Sequence, residues 1–165
     1  MKKIGIFYGS STGTTESVAK LIASKLGINS SDIYDVESAK PNLSEYDILL
    51  FGASSVGFGD LPDHWENYLK TLEESDLTDK TVALFCCGDS YTYPDSFCGA
   101  MRKIYDVLKN KSCTIVGAVP VEGYATTESE AVIDGKYIGL AIDNDNEDNL
   151  TQERVENWIG LFLDI

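Results

Sequence analysis

The stretch Ile4-Gly5-Ile6-Phe7-Tyr8-Gly9-Ser10-Ser11-Thr12-Gly13-Thr14-Thr15-Glu16-Ser17 joins a short apolar run to a turn that is rich in glycine and hydroxyl groups. The apolar run is continuous rather than alternating, which is typical of a strand that is covered on both faces. Apolar residues then recur at helical spacing, at Val18, Leu21, Ile22 and Leu26. The stretch therefore predicts a buried strand, a tight turn and an amphipathic helix.

The same unit recurs along the chain. Further continuous apolar runs cover residues 33–36, 48–53, 82–87 and 114–121. Stripes at helical spacing follow several of these runs, and they comprise Trp65, Tyr68, Leu69 and Leu72, then Phe97, Met101, Ile104, Tyr105 and Leu108, and finally Val155, Trp158, Ile159 and Phe162. Strands that alternate with helices predict an α/β fold, in which a parallel sheet has helices on both faces.

A polar segment, residues 122–136, interrupts this pattern. It separates the run at 114–121 from a second apolar run at 137–142. We interpret it as an insertion that splits the last strand of a single domain spanning residues 1–165. A segment of this length without a helical pattern is either a binding loop or a solvated excursion without a role.

The chain is strongly acidic. It holds 27 acidic and 13 basic residues, for a net charge of −14. This charge excludes nucleic acid and anionic membrane surfaces as expected partners and favours basic ones. No stretch approaches the roughly 18 apolar residues of a membrane span, and the N-terminus lacks a small-residue cleavage pattern. We therefore predict a cytoplasmic protein, most simply a monomer.

Four cysteines, at positions 86, 87, 98 and 113, show no CxxC pair and no metal-ligand spacing. We interpret them as reduced thiols packed as small apolar side chains, and we predict no metal site. A redox pair or a soft-metal site at Cys86 and Cys87 is the alternative.

The loops that follow the strands carry the chemistry, because open α/β sheets bind ligands beyond the carboxyl ends of their strands. The first turn offers backbone N–H groups and hydroxyls at a helix start, with no Lys or Arg between Ile4 and Ala19. It suits a single phosphate monoester held by neutral donors, or it is an ordinary capped turn. Residues 54–62 and 88–97 add flexible glycines, tyrosines and carboxylates. Together the loops indicate a pocket for a phosphate, a chain of hydroxyls and a flat polar ring.

These motifs resemble those of the long-chain flavodoxins over essentially the whole chain. The resemblance is carried by residues 7–17, by Gly88-Asp89 with residues 93–97, and by residues 139–143 ahead of Leu150-Thr151. It implies a three-layer fold with a five-stranded parallel sheet of order 2-1-3-4-5, whose last strand is split by the insertion. It also implies non-covalently bound FMN and electron transfer to partners such as a ferredoxin- or flavodoxin-type reductase or an oxoacid oxidoreductase.

Motif matching also implies the residues of the cofactor site, none of them catalytic. The phosphate group would be held by Ser10, Ser11, Thr12, Gly13, Thr14 and Thr15. The loop at the inner face of the flavin would be Ser55, Val56, Gly57, Phe58 and Gly59, and Ser54 would also bind the cofactor. Tyr93 would stack on the outer face, and the ring edge would be lined by Cys87, Gly88, Asp89 and Asp95. Val56 stands where the long-chain form usually has Trp, so either Val56 or Phe58 would cover the inner face.

The expected function is that of a low-potential one-electron carrier working between semiquinone and hydroquinone. The acidic surroundings disfavour the anionic hydroquinone, and a peptide flip after Val56 lets a carbonyl, that of Gly57, accept a hydrogen bond from the semiquinone. Two alternatives belong to other classes: a small flavin-dependent quinone or metal-chelate reductase, and a receiver-type signalling module without flavin.

Overall fold

A computed structural model describes residues 2–10, 12–38 and 41–161. Its main sheet is parallel and contains β1 (Ile4–Tyr8), β2 (Ile33–Asp35), β3 (Ile48–Ser54), β4 (Thr81–Cys87) and β5 (Thr114–Val116), in the order β2-β1-β3-β4-β5. The predicted α/β fold and strand order are therefore confirmed.

The last position of this sheet is split, as the sequence predicts. β5 pairs with residues 81–83 of β4, and a later strand, β9 (Leu140–Ile142), pairs with residues 85–87 of the same strand. The intervening segment forms a second, antiparallel sheet of β6 (Val119–Pro120), β7 (Val132–Ile133) and β8 (Lys136–Tyr137), in the order β6-β8-β7.

The predicted bounds of the split strand were too wide. The run at 114–121 leaves the main sheet after Val116, because Gly117 adopts a left-handed φ of 88° and its carbonyl accepts a hydrogen bond from Trp158 Nε1 at 2.9 Å. Tyr137 belongs to β8 rather than to the strand at 140–142. Apolar periodicity does not distinguish one long strand from two short strands in different sheets.

Helices cover both faces of the main sheet. α1 (Thr14–Leu26) and α5 (Thr151–Gly160) pack on one face, where Ile6, Leu50 and Phe85 meet Ile22 and Trp158. α2 (Asp63–Glu74) and α3 (Gly99–Leu108) pack on the other face, in a core with the neighbouring strand residues. A short helix that the periodicity did not predict, α4 (Asn144–Glu147), follows β9, and Phe162 of the last predicted stripe lies outside the described residues.

The cysteines are free thiols, and Cys86, Cys87 and Cys98 are buried. Burial raises the pKa of Cys87 and of Cys98, so both remain protonated at neutral pH. Within the described residues, no group of three or more histidine, cysteine or carboxylate side chains is arranged to hold a metal ion. Over the same residues, no helix combines the length and the apolar character needed to cross a bilayer.

Candidate cofactor site

A pocket of about 260 Å³ lies at the carboxyl edge of the main sheet, where the loops after β1, β3, β4 and β9 converge. The loops meet here because the chain leaves β1 toward β2 on one side of the sheet and returns to β3 on the other. The pocket is lined by Thr12, Thr14, Ser54, Ser55, Val56, Gly57, Cys87, Gly88, Asp89, Tyr93, Ser96, Phe97, Cys98, Asn144 and Asp145.

The turn after β1 is held by its own polar groups. Gly13 adopts a left-handed φ of 88°, and its N–H donates to Ser10 Oγ at 2.9 Å. Its carbonyl accepts hydrogen bonds from the Ser17 N–H at 3.1 Å and from the Ser17 hydroxyl at 3.0 Å. These two hydrogen bonds close the first turn of α1. Lys20, the first cation beyond the turn, is paired with Glu16 at 3.1 Å. The turn therefore presents neutral donors at a helix N-terminus and no cation of its own.

The loop at residues 56–60 is a tight turn. The Val56 N–H donates to the Asp60 carbonyl at 3.0 Å, and the Asp60 N–H donates to the Val56 carbonyl at 2.9 Å. Gly57 and Gly59 both have positive φ, of 52° and 85°, which glycine adopts without strain. Val56 lines the pocket, whereas Phe58 is 80% exposed and its ring meets that of Tyr93 edge-on, with centroids 5.5 Å apart.

The loop after β4 is organised around Asp89. One oxygen of its carboxylate accepts from the N–H groups of Tyr91 and Thr92, each at 3.1 Å, and from Asn146 Nδ2 at 2.8 Å. Hydrogen bonds from Thr92 and Asn146 hold the pKa of Asp89 below its usual range. Asp89 is therefore a carboxylate at neutral pH, and it fixes the loop that carries Tyr93.

The segment after β9 contributes a part of the pocket that sequence reasoning missed. Asn144 and Asp145 line it, and the preceding Asp143 is 1% exposed. Asp143 accepts hydrogen bonds from the Ser90 hydroxyl and from Asn146 Nδ2, the latter at 2.9 Å. The signal was available, since these residues follow a strand of the same sheet directly, as the predicted loops do.

The structure gathers most of the predicted site residues and leaves some outside the lining. The pocket contains Thr12, Thr14, Ser54, Ser55, Val56, Gly57, Cys87, Gly88, Asp89 and Tyr93. Six further predicted site residues belong to the same loops but do not line the pocket, namely Ser10, Gly13, Thr15, Phe58, Gly59 and Asp95. Ser11 lies outside the described residues.

Two polar atoms in the lining are left without partners. Ser54 Oγ and Asn144 Oδ1 are buried, and neither has a hydrogen-bond partner among the residues that the structure describes. Buried polar atoms are nearly always hydrogen-bonded, so these two are available to a polar ligand. The volume lies just below the ~300 Å³ at which ligand pockets usually begin, so a ligand seated here keeps part of its surface exposed. The set fits a phosphorylated, hydroxyl-bearing molecule with a flat ring.

Comparison with known proteins decides the family. The family model for flavodoxin matches residues 6–158 of the chain. The chain belongs to the flavodoxin family. The flavodoxin of Haemophilus influenzae is 44% identical, over 99% of this chain and 95% of that protein. Flavodoxin 1 of Escherichia coli K12 is 43% identical, over 94% of this chain and 89% of that protein.

Solved flavodoxins share the fold. The crystal structure of the Fusobacterium nucleatum flavodoxin bound to flavin mononucleotide has a TM-score of 0.89 and 34% identity, covering 97% of this chain and 96% of that one. A point mutant of the same flavodoxin, also bound to flavin mononucleotide, has a TM-score of 0.91. Flavodoxins are FMN-binding electron-transfer proteins rather than enzymes. The two alternative functions, a flavin-dependent reductase and a receiver-type signalling module, are therefore excluded.

Proposed function

We propose that this flavodoxin binds FMN non-covalently in the pocket at the carboxyl edge of the sheet and shuttles between semiquinone and hydroquinone to carry single electrons between redox proteins. The observation that carries the proposal is the convergence of neutral donors, a tyrosine and the unpartnered Ser54 Oγ and Asn144 Oδ1 around one pocket. FMN supplies the one-electron chemistry, and the chain supplies its position and its electrostatic surroundings.

The turn after β1 is the proposed phosphate site. Its hydroxyls and N–H groups, from Ser10 to Thr15, bind the phosphate together with the N-terminal end of α1. Thr12 and Thr14 are the members that already face the pocket. Because the turn holds no cation, the charge of the phosphate is not neutralised by a salt bridge and adds to the negative potential at the site.

Tyr93 and the 56–60 loop are the proposed walls of the ring site. Tyr93 and Val56 both line the pocket and Phe58 does not, which supports Val56 as the residue that covers the inner face. Phe58 lies outside the pocket lining, with its ring exposed and edge-on to that of Tyr93. A carbonyl at Gly57 can accept a hydrogen bond from the ring after a change of peptide orientation, and a net bond of about 1 kcal/mol favours the singly reduced form.

Negative charge around the pocket sets a low potential for the final reduction. Asp89 is ionised, Asp145 lines the pocket, and the chain carries a net charge of −14. A carboxylate about 12 Å from a new negative charge, at an effective dielectric of about 20, costs about 1.4 kcal/mol, or about 59 mV for one electron. Several such charges disfavour the anionic product and make the fully reduced protein a strong reductant.

We assign the chain to the long-chain form of the family, because residues 117–139 interrupt the last strand position and build a sheet of their own. The net charge of −14 favours a monomer and partners with basic docking surfaces. From the family resemblance we propose partners of the reductase and oxoacid oxidoreductase classes, and a location in the cytoplasm.

An anaerobic dithionite titration of the protein reconstituted with FMN tests the proposal. The expected result is one flavin per chain, a neutral-radical spectrum at half reduction, and a second step at clearly lower potential. Protein that stays colourless with FMN, or that takes up both electrons in one step, would refute it.

A further inference from the structure

The insertion contacts both loops that flank the pocket. The Glu130 N–H donates to the Asp95 carbonyl at 3.1 Å, which joins the insertion to the loop that carries Tyr93. Arg102 Nη1 of α3 donates to the Glu130 carbonyl at 3.1 Å. The neighbours of Glu130 on either side, Ser129 and Ala131, are buried. The backbone at residue 130 is therefore fixed against α3 and against the loop after β4, which carries Tyr93.

The Glu130 side chain occupies a gap between two glycines. A Cβ placed on Gly59 or on Gly99 would overlap Glu130 Oε1, and one on Gly99 would also lie 2.7 Å from its Cδ and 2.9 Å from its Cγ. Gly59 belongs to the 56–60 loop, and Gly99 is the first residue of α3. Glu130 is exposed, and its carboxylate lies at the surface between the 56–60 loop and the N-terminus of α3, where negative charge is favourable.

Lys103 of α3 restrains the same loop at Gly59 and Asp60. Its Nζ donates to the Gly59 carbonyl at 2.8 Å and lies 3.6 Å from Asp60 Oδ1. The loop also closes on itself through the two backbone hydrogen bonds between Val56 and Asp60, whereas a Cβ on Gly57 would meet Asp60 Oδ2 only at 3.9 Å. The conformation of the loop therefore depends both on its own hydrogen bonds and on the outside contacts made at Gly59 and Asp60.

We propose that Glu130 is a positioning residue for the 56–60 loop, through which the insertion sets FMN affinity and the midpoint potential of the first reduction. The inference rests on the proposed function, because it takes the loop to be a wall of the flavin site. A loop held in one conformation loses less entropy when the ring binds, and it keeps a peptide carbonyl available to the reduced ring. The insertion then acts on the pocket through Gly59 without contacting the flavin.

Three variants separate position from charge. Glu130→Asp keeps the charge but withdraws the carboxylate by one methylene. Gly99→Ala keeps Glu130 itself but displaces its side chain with a methyl group, at a helical position that accepts alanine. Glu128→Gln removes one charge from the same insertion at an exposed position.

Glu130→Asp and Gly99→Ala are each expected to raise the FMN dissociation constant about three- to tenfold. A threefold loss of preference for the singly reduced flavin lowers the first midpoint by about 28 mV, at 59 mV per tenfold change for one electron. In the apoprotein, the amides of Val56 and Asp60 should exchange faster with deuterium than in the parent protein. Glu128→Gln should match the parent protein in all three measurements.

Parent-like affinity, midpoint and exchange in both Glu130→Asp and Gly99→Ala would overturn the positioning role while leaving the proposed function intact. Equal shifts in all three variants would overturn it as well, because they would show a simple charge effect. A parent protein that does not bind FMN would overturn the proposed function and this inference with it.

Discussion

Asn146 donates hydrogen bonds to two carboxylates at the pocket. Its replacement by alanine tests how much these hydrogen bonds stabilise the loop after β4, which carries Tyr93. Its Nδ2 donates to Asp89 Oδ1 at 2.8 Å and to Asp143 Oδ1 at 2.9 Å. A hydrogen bond to a charged group contributes about 1.5–3 kcal/mol. The hydrogen bond to Asp143 should contribute this full amount, because Asp143 is only 1% exposed. The hydrogen bond to Asp89 should contribute less, because Asp89 is half-buried and water screens the interaction. We expect Asn146→Ala to lower the free energy of unfolding by about 2–4 kcal/mol.

Urea unfolding of the apoprotein measures this loss, and an FMN titration measures its effect on the site. Because Asp89 also fixes the loop that carries Tyr93, the dissociation constant for FMN should rise about tenfold, equivalent to about 1.4 kcal/mol. Asn67→Ala, at an exposed position on α2, is the matched control and should change stability by less than about 1 kcal/mol. An Asn146→Ala protein within about 0.5 kcal/mol of the parent would refute the reasoning.

Acid unfolding gives an independent check on the same contact. Hydrogen bonds from Thr92 and Asn146 lower the folded-state pKa of Asp89. A carboxylate whose pKa is lower in the folded protein stabilises it at any pH above the pKa of the unfolded chain, which is near 3.9. This stabilisation is lost as the pH falls through the pKa of the folded protein. The stability difference between parent and Asn146→Ala should therefore shrink below about pH 4. A difference that stays constant down to pH 2 would show that the Asp89 contact contributes nothing.

Three further predictions follow from the site and its surroundings. Asp145→Asn should raise the potential of the final reduction by about 20–60 mV in a redox titration, whereas Glu74→Gln, at the far end of α2, should leave it unchanged. Trp65→Phe removes the 2.7 Å hydrogen bond from Nε1 to the Gly52 carbonyl and should cost about 2 kcal/mol in thermal or urea unfolding, and an unchanged midpoint of unfolding would contradict this. Association with a basic redox partner should slow at least about tenfold between 50 mM and 500 mM salt in stopped-flow measurements, and a salt-independent rate would exclude electrostatic steering.

Much of the site was predictable because it follows from local sequence. The hydroxyl-rich turn directly follows an apolar run, and Gly57, Gly59 and Tyr93 each lie within six residues of the end of one. Parallel strands bring their carboxyl ends to one edge, so these loops meet whatever the details of packing. The same rule applied to β9 would have found Asn144 and Asp145, which the insertion separates from the earlier part of their strand position.

The sequence by itself determined the four strands β1–β4, the four long helices and the chemistry of the loops after β1, β3 and β4, because these depend on residues close together in the chain. Only the tertiary structure decided that Asn146 donates a hydrogen bond to Asp89, 57 residues away, and that the Glu130 carboxylate lies beside Gly59. It also decided where the last strand ends, since Gly117 turns the chain into a second sheet. Contacts of this kind arise when crossovers bring distant segments together, and their partners leave no periodic or local pattern in the sequence.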